Sequence, residues 1–184
     1  RLQPRALHTK PTGFCPVKVD GRRTYFEWIC AGHYVCGSER GTMTKVTLGL
    51  FRDVYFGFDA QRLALRIDTA RYAREDLEPL DELRIRFVDA SGMEIRITGF
   101  KQHDAKAKLY REDKLVAKAT VELAVDQILE VAVPFADLGL APESTTQLYV
   151  EAVSKKQSVD RAPQEGVLEM VVPSPDFERI MWQA

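Results

Sequence analysis

Net charge is nearly absent from this chain of 184 residues: 26 lysines and arginines stand against 27 aspartates and glutamates, a formal balance of -1. No global field then draws it to nucleic acid or to an anionic membrane, so neither is an expected partner. Long apolar runs are missing too, and those present are of strand length, far short of the ~20 residues of a membrane-spanning helix. Cysteine is scarce. Cys15, Cys30 and Cys36 form an odd set without a regular framework, which argues against a disulfide-built scaffold and makes a reducing, cytoplasmic setting the default expectation. The basic opening from Arg1 to Pro11 lacks the apolar core of an export signal.

The usual chemical signatures are equally sparse. There is no Gly-x-Ser-x-Gly elbow and no phosphate-cradling glycine loop, and His8, His33 and His103 sit in unrelated segments. Carboxylates are scattered as on any charged surface, with no pair that can be singled out for hydrolysis. Cys30, His33 and Cys36, with Cys15 upstream, offer the ligand types of a tetrahedral zinc site. Structural zinc sites present paired ligands on tight knuckles, whereas Cys15 stands alone, so buried free thiols are the favoured reading. No catalytic residue, metal or cofactor is assigned.

What the chain does contain is strand periodicity from about Lys45 to Val172. Val54, Phe56 and Phe58 alternate with polar or small residues, Asp59-Ala60-Gln61 turns, and Leu63, Leu65 and Ile67 alternate against Arg62, Arg66 and Asp68. Period two over both arms predicts a β-hairpin. A second hairpin is predicted from Leu83, Ile85 and Phe87, the turn Asp89-Ala90-Ser91-Gly92, and Met93, Ile95 and Ile97. Leu115 to Leu123 and Ile128 to Val133 read as core strands, Pro134 to Leu140 as a short helix with a proline start and glycine stop, and Gln147–Ser154 and Val167–Val172 as two further strands. The polar interval from Lys155 to Gly166 reads as a loop. The expected fold is an all-β, two-sheet antiparallel β-sandwich, immunoglobulin-like or jelly-roll-like, with one short helix. Its inward positions include Phe56, Leu65, Ile85, Phe87, Ile95 and Val131, while Arg66, Arg84 and Arg96 fall on the opposite phase and face outward. Residues 1–18 read as an N-terminal arm or linker and 19–184 as the sandwich.

Two constellations invite a functional reading. Arg66, Arg84, Arg86, Glu94 and Arg96 lie on polar hairpin faces, where they read either as a cationic patch for an acidic polysaccharide or, the favoured reading, as cross-strand pairing of mixed charges. Tyr25, Phe26, Trp28 and Tyr34 crowd into a glycine-rich, polar stretch ahead of the main strands. Rings that stack on sugar C–H faces, beside charged groups that bond hydroxyls, are the physical basis of carbohydrate recognition. The alternative is that these rings plug one end of the sandwich.

Three stretches resemble the C-terminal β-sandwich region of α-amylase-type proteins in glycoside hydrolase family 57, related to the glucodextranase C-terminal domain. The first is Val19-Asp20-Gly21 with Tyr25-Phe26-Glu27-Trp28 and Ala31-Gly32-His33-Tyr34. The second runs from Val54 to Asp59 and from Leu63 to Asp68. The third runs from Ile128 to Leu140, then Asp160-Arg161-Ala162-Pro163 and Phe177 to Trp182. The last two are also similar to carbohydrate-binding module family 9 and to DOMON domains, which bind sugars or haem. Because the family's catalytic barrel lies upstream of this region, the resemblance implies a non-catalytic accessory domain. Its expected partners are an α-glucan or oligosaccharide and the catalytic barrel of the same parent polypeptide. The expected sugar site is Tyr25, Glu27, Trp28 and Tyr34, joined by Asp160 and Arg161. The alternatives are a purely structural domain that caps the barrel, or a haem-binding DOMON-like module. Haem would need an axial methionine, histidine or cysteine in a ligand pocket, and the strand pattern already accounts for Met93 and Met170.

Overall fold

The computed structural model describes residues 8–37, 49–89 and 92–177. Lys45, the turn residues Ala90 and Ser91, and the stretch from Glu178 to Trp182 lie outside the described residues. Along the chain run β1 (Gly32–Val35), β2 (Phe51–Phe58), β3 (Arg62–Thr69), a helical turn α1 (Ala73–Asp76), β4 (Glu82–Phe87), β5 (Met93–Thr98), β6 (Lys106–Arg111) and β7 (Lys114–Leu115). They are followed by β8 (Glu122–Val125), β9 (Leu129–Pro134), α2 (Phe135–Leu138), β10 (Thr145–Ser154), β11 (Gln157–Ala162) and β12 (Leu168–Val171).

These strands make two antiparallel sheets, an all-β sandwich. One sheet is ordered β1-β2-β3-β9-β8 and the other β11-β10-β4-β5-β6-β7, with β12 sharing an edge of the long β10 beside β11. Both hairpins form as their periodicity predicts. In the first, Asp59 closes the turn by accepting the N–H groups of Gln61 and Arg62 at 2.8 and 2.7 Å, which fixes Tyr55 opposite Arg66 and Phe56 opposite Leu65. In the second, Ile85 faces Ile95 and Leu83 faces Ile97. Phe56, Leu65, Ile85, Phe87, Ile95 and Val131 all lie in the buried layer. Gly139, left-handed at φ 66°, stops α2 as a C-terminal glycine should. Among the described residues no helix is long and apolar enough to cross a membrane.

Parts of the fold differ from their sequence reading. The interval 155–166 contains a strand, β11, which is polar because it lies at a sheet edge and is held by backbone pairing with β10. Leu115 to Leu123 forms no continuous core strand; β7 and β8 occupy its ends, on different sheets, and the chain between them turns at Val116–Ala119. α1 and β6 had no counterpart in the pattern, since β6 turns only Ala107 and Leu109 inward.

Arg84 and Arg96 are partly exposed on the outer face of their sheet, but Arg66 is 6% exposed. It has the outward phase of β3, yet residues 8–31 fold across that face. Thr9, Thr12 and Cys15 donate backbone N–H groups to the carbonyls of His33, Cys30 and Phe58. Cys15, Val17 and Trp28 then pack on Ala64 and Ala132, whose small side chains leave room for the covering segment. The middle strands β3 and β9 are therefore buried on both faces.

Candidate functional site

The register of the first sheet places four polar side chains in one row across its outer face: His33, Tyr55, Arg66 and Glu130. His33 stacks on Tyr55 with ring centres 4.2 Å apart and planes 3° from parallel, and its Nε2 lies 2.8 Å from Asp53. The Arg66 guanidinium sits 4.7 Å from the centre of the same tyrosine ring. It donates to both oxygens of Asp68, at 2.7 and 2.9 Å, and to the Thr24 carbonyl at 3.0 Å. Burial and the Asp53 charge push the Tyr55 phenol above its ordinary value, against the pull of Arg66.

Glu130 ends the row fully buried. Its Oε1 accepts the N–H groups of Asp20 and Gly21 at 3.2 and 2.8 Å, and its Oε2 accepts the Trp28 indole N–H at 3.0 Å. Burial raises its pKa above the ordinary 4.5, although these donors oppose the shift. Glu130, Asp20 and Glu27 bring carboxylate oxygens within 4.8 Å of one another. Glu27 accepts the backbone N–H of Lys18 and the Thr24 hydroxyl, and Asp20 accepts the N–H of Arg22. The cluster thus serves to fasten residues 18–28 to the sheet.

Above the row, the segment makes a single 3-10 turn, Phe26–Trp28. Three residues per turn put Tyr25 and Trp28 on one side. Between that side and the sheet lies a cleft of about 530 Å³. Tyr25, Trp28 and Ile29 form its wall, His33, Tyr55 and Arg66 its floor, and Arg23, Thr24 and Ala31 complete the lining. Tyr25 and Phe26, with their rings edge to face, are 72% and 79% exposed, and Ile29 is 58% exposed.

The sites expected from sequence are therefore divided. Tyr25 is an exposed ring at the cleft. Trp28 borders the cleft but is 3% exposed, so it is a plug rather than a platform, and Glu27 is committed to the segment's own turn. Tyr34 has the inward phase of β1 and is in the core between the sheets. Asp160 and Arg161 belong to β11 and do not line the cleft. Asp160 accepts the N–H of Phe51, while Arg161 stacks over Tyr149 at 4.1 Å and donates to the carbonyls of Pro163, Gln164 and Gly166. This is a local staple of the loop after β11. Of the thiols, Cys15 is buried and pushed up to about 11 by that burial, whereas Cys30 and Cys36 are only partly buried, and the His33 ring is engaged with Asp53.

Tyr55 and Arg23 were not singled out in the sequence, and His33 and Arg66 were read there only as a possible zinc ligand and as part of a charged hairpin face, not as lining of this cleft. One signal was present: a hairpin turning at Asp59–Gln61 pairs Tyr55 with Arg66, putting an aromatic and a cation side by side on its polar face. No family model matches the chain. No curated protein matches it either.

Proposed function

We propose that the domain is a non-catalytic carbohydrate-binding module, accessory to an α-glucan-processing glycoside hydrolase, with its site in the cleft beneath Tyr25. The carrying observation is the exposed Tyr25 ring over a polar floor in a cleft of about 530 Å³, a volume within the range of small-ligand sites. A sugar ring placed there would set its C–H face against Tyr25 and its hydroxyls toward Tyr55, Arg66 and Thr24. The resemblance to the C-terminal region of family 57 proteins makes an α-glucan the expected ligand and the parent's catalytic barrel the expected neighbour.

Titration with maltooligosaccharides tests this reading. Tyr25→Ala should weaken binding roughly thirtyfold, by analogy with exposed aromatic anchors. Its unfolding midpoint should stay close to that of the wild type, because the ring is largely in solvent. A wild-type protein that binds no maltooligosaccharide, or a Tyr25→Ala variant that binds equally well, would overturn the assignment. A second reading, docking against the parent's barrel, draws support from Phe26, which is exposed without lining the cleft.

A further inference from the structure

The lining of the cleft is lopsided in its chemistry. It contains two guanidinium groups, an imidazole, the Trp28 indole and the hydroxyls of Thr24, Tyr25 and Tyr55, but no carboxylate and no side-chain amide. Sugar hydroxyls are donors as well as acceptors, so a site for a neutral sugar ordinarily supplies strong acceptors. Nearby Asp53 and Asp68 are turned to other use, bonded to His33 and Arg66. The Arg66 charge is thereby matched. Arg23 differs. Its backbone N–H is held by Gln127 and its guanidinium donates to the Arg71 carbonyl at 3.3 Å, but among the described residues no carboxylate forms an ion pair with it. It is exposed at the cleft wall, and its charge reaches the Tyr55 phenol on the floor.

We propose that the cleft takes a saccharide bearing an anionic substituent, a carboxylate or phosphate on a hexose ring, and that Arg23 supplies the charge that recognises it. This rests on the carbohydrate-binding reading above and narrows its ligand class. The anion sits between Arg23 and the Tyr55 hydroxyl, both donors, while the sugar ring lies along Tyr25. Guanidinium pairing with carboxylate or phosphate is charge-assisted and two-pronged, so it discriminates by charge and by shape.

The test is calorimetric titration of the whole chain with maltotetraose, maltotetraose 6-phosphate, tetrameric oligoglucuronate and inorganic phosphate, at two ionic strengths. At least one anionic saccharide should bind about tenfold more tightly than maltotetraose, with the advantage shrinking as salt rises. Whether the phosphate or the glucuronate holds the advantage identifies the source of the charge. Arg23→Gln should bring the ratio of anionic to neutral affinity close to one, and Arg23→Lys, which keeps the charge without the fork, should retain part of it. Thermal unfolding of both variants controls for the fold. If all the saccharides bind equally, the anionic preference falls and the carbohydrate reading stands; if none binds, both fall. Inorganic phosphate binding as tightly as the sugar phosphate would also overturn the proposal, because the sugar would then contribute nothing.

Discussion

Replacing Trp28 with alanine measures how firmly the covering segment is tied to the sheet. The indole is 3% exposed and packs with Cys15, Val17, Ala64 and Ala132 outside the main core. Truncating a buried tryptophan costs about 3–5 kcal/mol. Here the lower end applies, since a segment lying on a sheet closes a void more readily than two opposed sheets do. The indole N–H is also a donor to a buried carboxylate, and leaving such an oxygen unsatisfied adds on the order of 1 kcal/mol or more. The sum is about 4 kcal/mol, which in a domain of this size lowers the melting temperature by about 8–16 °C. Chemical denaturation of wild type, Trp28→Ala and Trp28→Phe separates the contributions. The phenylalanine variant keeps most of the apolar contact and loses only the donor, so it should cost about 1–2 kcal/mol. A loss below about 1 kcal/mol in Trp28→Ala, the size of an ordinary surface change, would refute the plug and return Trp28 to the role of an exposed platform.

Glu130→Gln should reveal a titration. The folded carboxyl is raised above 4.5, so its contribution to stability is fully present below that value and is lost as pH rises through the raised one. Glutamine does not titrate, so wild-type stability measured relative to the variant in urea should fall with rising pH over that window. A flat or rising difference would show that the three N–H donors outweigh burial. Gly32→Ala should destabilise the sheet edge by about 1–3 kcal/mol through overpacking, because a methyl there would lie 2.5 Å from Phe56 and 2.6 Å from the Thr9 carbonyl oxygen. Unchanged thermal unfolding would mean that the Thr9 segment moves aside freely.

The legible parts of the fold were those whose signal is local. β2–β3 and β4–β5 each combine strict alternation with a short connection, so register and facing follow from a few neighbouring residues. β11 was illegible for a corresponding reason: its first residues, Gln157, Ser158 and Val159, are exposed, and it is a strand because β10 offers it a ladder, not because its side chains need burying. Leu115 to Leu123 erred the other way. Val116, Ala119 and Val121 pack against the core from a crossover between sheets, and that burial produces an apolar rhythm without a ladder until β8 begins. Of the aromatic cluster, Tyr25 and Trp28 line the cleft while Tyr34 lies in the core, and which ring points where was not legible. That depends on residues 20–28 meeting residue 130, a contact spanning about a hundred positions.

Glu130 was the overlooked clue. A glutamate within the apolar run Ile128 to Val133 is a charge committed to the interior, and such a group requires partners. Only a carboxylate suits the ones it has: the Asp20 and Gly21 amides and the Trp28 indole all donate, so an amide side chain would set an N–H against an N–H on one side, and an apolar one would leave all three donors without their acceptor. The desolvation cost is retained because three donors from two parts of one segment converge on a single side chain, fixing that segment's position on the sheet. Tyr25 is three residues before Trp28, one turn of the 3-10 helix. The ring at the cleft therefore takes its place from a carboxylate that the ligand would never touch, and loss of Glu130 should weaken ligand binding through Tyr25 as well as lower stability.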